Sequence, residues 1–531
     1  MKLGKKHLSM WMLILMLSFG LAACASEPDS NSGDSESADG EEGSGGDLVI
    51  DMKSEAVSLD PHSVNDVPSG NVQTNLYETL VYFDENMDIQ NGLAEDWTVD
   101  ENVLEFKLRD GITFTDGEAF NAEAVKANID RVKDEAIASQ RAFLFEDITD
   151  INVVDDQTIQ FITEEPSATL IFSFAHSGGS MISPKSIEED YAAMEEGENP
   201  GSVIGSNPVG TGYFTFDEWE SGNYIRLVKN DDYWGEPAKL DSVTFRVVSE
   251  DNTRLANIET GSAHVSDPTA PSDVSRVTGS DVMDIMESDS LNVSYIGFNT
   301  QQEPFDDVNV RRAITMAINN EDIVNNLYDG YGIPAKGPIA PGVIGYDDSL
   351  EPIGYDPEGA KTLLEESGYG DGIELTISTN DTTERQDLAT FVQAELGKVG
   401  IDVSIEIVEW GAYLEQTAQG DTDMFVLGWS SATGDADYAL EPLFHSKNQG
   451  NAGNRAFYEN DEVDALLDEA KNELDSTKRN ELYSEVQQIL IDEAPLLYTH
   501  HKVELNAVAN TVHNLYRHPT GNFWLQDVYI D

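Results

Sequence analysis

A chain of 531 residues with 40% hydrophobic and 9% aromatic content can bury more than one core, so disorder of the whole is excluded. Its 100 acidic residues against 30 basic ones leave a formal charge of -70, which excludes a phosphate-neutralising face and, with it, nucleic acid as a partner. The single cysteine excludes disulfides, so stability must come from core size.

The N-terminus carries Lys2, Lys5 and Lys6, then a nearly unbroken apolar run from Leu8 to Ala23. That run has the length of a signal h-region and is short for a spanning helix. It ends in Leu21-Ala22-Ala23-Cys24, small residues for a peptidase cleft followed by the one thiol that could accept a thioether lipid. The pattern resembles the bacterial lipoprotein signal, which implies removal of residues 1–23 and lipidation of Cys24. Loss of the three lysines would take the formal charge from -70 to -73. Residues 24–46 are mostly Ser, Gly, Asp and Glu and read as a flexible acidic linker. The expectation is therefore an extracytoplasmic body, lipid-anchored to the outer face of the cell membrane of a single-membrane cell. The surplus acid reads as adaptation of an exported protein to a saline medium, where ions screen self-repulsion.

About 480 residues follow, enough for two or three domains. Leu48 to Met52 reads as a strand and Val72 to Leu80 as a first helix. Leu104 to Leu108 alternates and then turns at Asp110-Gly111. Ala122 to Arg131 is an amphipathic helix with Asn121 placed as its cap. Ile159 to Ile162, Ile225 to Leu227 and Val243 to Val247 read as strands, and Leu255 opens a helix that stops near Gly261. From about 293 to 490 strand and helix alternate. Strands are expected at Val293–Phe298, Leu375–Ser378, Val403–Val408 and Met424–Leu427. Helices are expected at Val310–Ile318, Glu321–Leu327, Asp356–Leu364, Asp387–Leu396, Trp410–Gln416, Asp461–Lys471 and Asn480–Ile489. Val503 to Val508 returns to strand. This is the α/β pattern, with sheets covered on both faces.

No catalytic signature stands out. The sequence has no G-x-S-x-G, no H-E-x-x-H, no P-loop and no body cysteine for a nucleophile or a zinc cluster. Gly205 to Gly212 is glycine-rich but reads as a tight turn, and His500-His501 has no evident further metal ligands. No catalytic residue, metal site or cofactor is expected. An exported α/β protein with a tether and no catalytic constellation points to capture of a small solute in a cleft between lobes.

Several segments carry a resemblance. They are Gly92-Leu-Ala-Glu-Asp-Trp97, Phe106-Lys-Leu-Arg-Asp-Gly-Ile-Thr-Phe-Thr-Asp-Gly continuing to Val125, Asn207-Pro-Val-Gly-Thr-Gly-Tyr-Phe214, Asn230-Asp-Asp-Tyr-Trp-Gly235 and Tyr295-Ile-Gly-Phe-Asn299. Together they resemble the family 5 extracellular solute-binding proteins of ABC importers, which serve peptides, nickel complexes and related solutes. The resemblance implies a type II periplasmic-binding-protein-like fold, with two main lobes, a hinge, a cleft and an extra third domain. Domain I would comprise 47–76, 205–292 and 500–531, domain II 77–204 and domain III 293–499, with ligand between domains I and III. It also implies a monomer that docks on permease subunits.

The ligand class is read from one loop, Gly428-Trp-Ser-Ser-Ala-Thr-Gly-Asp-Ala-Asp-Tyr438. In the family's dipeptide binders an aspartate of this loop clamps the peptide ammonium, but here Ala432 stands at that position. The arginine that those proteins offer the peptide carboxylate pairs with Thr379, and Arg385 lies six residues on. Through Ala439-Leu-Glu-Pro-Leu-Phe-His445 the loop instead resembles the glutathione-binding branch. That implies Asp435 or Asp437 at the ligand ammonium, Arg385 at a carboxylate and Trp429 as a wall. A general dipeptide or oligopeptide binder is the alternative reading. A nickel-complex binder, a solute-sensing receptor and an exported hydrolase stand behind it.

Overall fold

The computed structural model describes residues 45–64, 66–380, 382–450 and 453–531. Cys24, the signal and nearly all of the acidic linker lie outside the described residues. Most of the body is organised by one sheet of 11 strands. Its order runs from Ile401–Ile407 through Ile373–Thr379, Met424–Ser430, Met283–Phe298, Leu496–Ala509, Val265–Asp267, Asp47–Met52, Ser242–Val247 and Tyr224–Lys229 to Phe214–Glu220, with Gly332–Pro334 as the eleventh strand, paired with Leu496–Ala509 off this path.

The sequence dictates the first three of these strands. Ile373–Thr379 pairs in parallel with both Ile401–Ile407 and Met424–Ser430. Parallel neighbours need a crossover, and the helices Thr383–Gly397 and Trp410–Gln419 supply it. The carboxyl ends of all three strands therefore lie along one edge, where α/β sheets place ligands. Apolar clusters cover both faces: Ile377, Val392, Leu396 and Val403 on one, Tyr295, Phe425, Leu440 and Tyr483 on the other.

At the other end of the sheet, Asp47–Met52 pairs in parallel with Ser242–Val247 and Val265–Asp267, around Leu48, Ile50, Leu227, Phe245 and Leu525. A separate four-stranded sheet of Ala94–Asp100, Val103–Leu108, Thr158–Thr163 and Ile148–Asp155 has its own core of Phe106, Val125, Ile129, Phe161 and Phe174. The helix Ala122–Lys133 packs there, and Asn121 accepts from the Ala124 amide as its cap.

Two long antiparallel strands join the ends of the large sheet. Met283–Phe298 has 16 residues and Leu496–Ala509 has 14. At about 3.3 Å per residue the longer spans about 50 Å, where an ordinary strand spans under half of that. Their register breaks between Asp289 and Val293, so Ser290, Leu291 and Asn292 have no partner on the second strand. The body thus bends around a bulge at the centre of its longest ladder.

Three sequence expectations need correction. The first helix is Val67–Gln73, not Val72 to Leu80, because Asp66 accepts from the Ser69 amide and Pro68 stands in the first turn. The strands expected at Val293–Phe298 and Val503–Val508 are each about half of a crossing strand. The missing half of the first, Met283 to Asn292, is polar and part-exposed, and pairing holds it extended where its apolar content would not. The helix Ala436–Phe444 was not foreseen at all, since Pro442 lies inside it.

Candidate functional site

A cavity of about 350 Å³ lies where the crossing strands bend. Ser290 and Asn292 of the bulge line it, together with Lys502 and Glu504 of the second crossing strand. Alternation along the strand puts each pair on one face. Ser430 closes this side from the end of Met424–Ser430, paired with Asn292. The opposite wall comes from the other half of the sheet: Met52, Lys53 and Ser54 at the end of the first strand, Asp267 and Pro268, and Val67 and Pro68 of the first helix. Arg517 and the turn from Pro519 to Gly521 complete it.

The electrostatics of the cavity differ from those of the whole chain. Arg517 is ion-paired to Asp267, which also accepts from Asn506 at 3.0 Å. Lys502 is accessible from the cavity and meets Glu504 at 3.1 Å. Burial works against both charges of this pair. Lys502 and Arg517 nevertheless hold the Glu504 pKa below the ordinary carboxylate value, and Glu504 with Glu384 raises that of Lys502. Both groups stay ionised at neutral pH.

The four residues singled out from the sequence lie beside the cavity, not in its lining. Trp429 precedes the lining residue Ser430 and faces the other side of the sheet, where its ring packs on Tyr438 at 5.6 Å. Tyr438 also meets Phe143 and His176 from the segment that follows the four-stranded sheet's helix. Arg141 is 7% exposed in this contact; among the described residues its Nε has no partner and His176 is its only side-chain neighbour at hydrogen-bond distance. Arg385 donates to Asn380 at 3.3 Å, and its guanidinium stacks over Trp410 at 5.1 Å, on the carboxyl edge of the parallel strands.

Asp435 caps Ala436–Phe444 by accepting from the Asp437 amide, and its carboxylate is held by both terminal nitrogens of Arg479, one at 2.8 Å. Asp435 is 1% exposed. Asp437 has a buried oxygen, Oδ1, with no partner. Burial pushes its carboxyl up to about 7, with Glu441 and Asp435 adding repulsion against the pull of Lys471 and Arg479.

Sequence reading missed the cavity cations, because Lys53 comes from the opposite end of the chain to Lys502 and Arg517. It also missed why Trp429 is anchored. Pro442 has no N–H to donate to the Tyr438 carbonyl four residues back. The Trp429 indole Nε1 donates to that carbonyl instead, at 2.8 Å. His500 and His501 alternate along the crossing strand, one stacked on Tyr328 at 4.3 Å and the other against the Asn292 carbonyl. Among the described residues no three His, Cys, Asp or Glu side chains converge as a metal site.

With this geometry the chain can be compared with known proteins. It belongs to the bacterial extracellular solute-binding proteins, family 5, whose middle-region model matches residues 88–451. It is a solute-binding protein and not an enzyme. The glutathione-binding protein GsiB of Escherichia coli (strain K12) is 36% identical over 460 residues, covering 85% of this chain and 88% of that one. Among solved structures, the periplasmic binding protein DppA of Helicobacter pylori in complex with the peptide STSA matches with 31% identity and a TM-score of 0.78, over 92% of this chain and 98% of that one. The oligopeptide-binding protein AppA of Bacillus subtilis in complex with a nonapeptide matches with 28% identity and a TM-score of 0.75, over 91% and 99%. The fold is the type II periplasmic-binding-protein fold of these relatives.

Two outcomes follow from the loop. Trp429→Phe should cost about 1–2 kcal/mol in urea unfolding by orphaning the Tyr438 carbonyl. The same change should cost about 1 kcal/mol less in a Pro442→Ala background, where a backbone N–H is restored. Equal costs in both backgrounds would show that the indole bond contributes nothing. Asp437 holds its proton more tightly folded than unfolded. The stability tied to that proton is complete below the unfolded value of 3.8 and is lost as pH rises through about 7. Asp437→Asn should therefore stabilise the protein above neutral pH and flatten the decline of stability between those two values, measured as unfolding midpoints across pH. An unchanged decline would assign it to other groups.

Proposed function

We propose that the protein is a membrane-tethered extracytoplasmic receptor that captures a small peptide-like solute, with glutathione the first candidate, and delivers it to an ABC importer. The observation that carries this is the cavity at the bulge, walled by both halves of the large sheet. At about 350 Å³ it lies at the low end of ligand-pocket volumes and fits a solute of a few residues better than a nonapeptide. A ligand touching both walls would stabilise a closed form, with Ser290 to Asn292 and the facing stretch of the second crossing strand as the hinge. In this reading 47–76, 205–292 and 500–531 move as one lobe against 293–499, with 77–204 as the extra domain. The glutathione-binding activity of GsiB and the peptides held by DppA and AppA support the ligand class.

Of the residues read from the sequence, we assign Arg385 to one ligand carboxylate and Trp429 to a wall beside the cavity; neither lines it, so both contacts require the two halves to close on the solute. Asp437 is preferred for the ammonium, because both oxygens of Asp435 are engaged by Arg479; Asp435 then acts by holding the loop. Cys24 carries the lipid, and the permease subunits of the importer are the protein partners of a monomeric receptor.

Calorimetry on the full-length protein tests the ligand. Glutathione should bind with micromolar affinity and a nonapeptide should give no heat. Trp429→Ala and Arg385→Met should each weaken glutathione by about tenfold or more. No heat from glutathione beside micromolar binding of ordinary peptides would replace the glutathione reading with a general peptide receptor. The formal charge of -70 supports operation in a saline medium. The unfolding temperature should climb from low to molar sodium chloride, and a flat or falling curve would remove that part of the reading.

A further inference from the structure

The cavity draws three cations and two acids into its lining: Lys53, Lys502 and Arg517 against Asp267 and Glu504. The same chain has 100 acids and 30 bases, so the lining reverses the balance of the whole. Both acids are already engaged, Glu504 by Lys502 at 3.1 Å and Asp267 by Arg517 and Asn506. Lys53 is different. Among the described residues no carboxylate lies within 4.0 Å of its ammonium, which projects from the end of the first strand. Arg517 is 5% exposed, and its Nε has no partner.

An incoming ammonium group would find only acids that already hold a cation. An incoming carboxylate would find a cation that holds nothing. The distant acidic shell does not reverse this. At physiological ionic strength charges beyond about 8 Å are largely screened, whereas a carboxylate entering the cavity meets the exposed Lys53 ammonium directly.

We propose that the cavity selects solutes carrying a net negative charge, and that Lys53 is the specificity-determining residue that receives the additional carboxylate. This rests on the cavity being the solute site, and it narrows the peptide-like ligand to an acidic one. Glutathione, with two carboxylates and one ammonium, meets the requirement, and so does an acidic dipeptide. The second carboxylate distinguishes this role from the one assigned to Arg385.

The test uses full-length protein at physiological salt and three dipeptides that differ in one side chain, Ala-Glu, Ala-Ala and Ala-Lys, titrated by calorimetry. Wild type should bind Ala-Glu about tenfold more tightly than Ala-Ala, and Ala-Lys more weakly still. Lys53→Met, which keeps an unbranched apolar side chain but removes the charge, should bring Ala-Glu to within about twofold of Ala-Ala. Its unfolding temperature should be unchanged, since no acid loses a partner. Equal affinities in wild type, or an equal loss for all three in Lys53→Met, would overturn the proposal. If no peptide binds wild type, the peptide reading fails and glutarate decides the charge selection separately. Glutarate binding that Lys53→Met abolishes would keep it, and glutarate without effect would end it.

Discussion

The ladder between Met283–Phe298 and Leu496–Ala509 is the constraint on which the rest of the body depends. Among the described residues it is the only stretch of sheet that both halves share, and each half is an ordinary layered assembly with its own core. A continuous ladder transmits the orientation of one half to the other, because a slip of one residue would turn every side chain to the opposite face. The break at Ser290 to Asn292, with a second register shift between Ser294 and Tyr295, relieves that rigidity. Leu291 there is buried in the core, while Ser290 and Asn292 on either side of it face the gap and become a wall of the cavity.

Electrostatics divide the molecule in the same way. The exterior is strongly acidic, and salt screens it. The cavity is set apart because two of its cations pair with acids at short distance while Lys53 meets no carboxylate among the described residues. There a difference of one charge matters more than dozens of carboxylates far off. The pair Arg517–Asp267 joins segments 250 residues apart, so one contact that shapes the lining also helps hold the bend, while Lys502–Glu504 lies within one strand.

The loop after Met424–Ser430 shows how a local conflict is resolved by a distant group. Pro442 removes a backbone donor inside a nine-residue helix, and the Trp429 indole supplies one. Asp435 begins the same helix and is fixed by Arg479 from Ser476–Glu493. The Trp429 ring packs on Tyr438 while its polar edge is committed to the Tyr438 carbonyl, so this tryptophan is a structural bracket.

Much of this protein was legible in its residues. Alternating apolar strands and capped helices between about 293 and 490 specified the α/β half, because local periodicity there coincides with burial. Asn121 and Asp356 marked helix starts by chemistry that acts within three residues. The family segments carried the fold and the solute-binding class. Other features were decided only by tertiary structure. The polar first half of Met283–Phe298 is extended because its partner holds it, and Ala436–Phe444 survives Pro442 because Trp429 reaches it. Asp435 is held by Arg479, 44 residues on, a pairing that no local pattern announces. Lys53, Lys502 and Arg517 form one cation-rich lining only after the chain has folded back on itself. Local patterns in a sequence record what a residue does with its near neighbours, whereas charges and hydrogen bonds between remote segments exist only once those segments have been brought together.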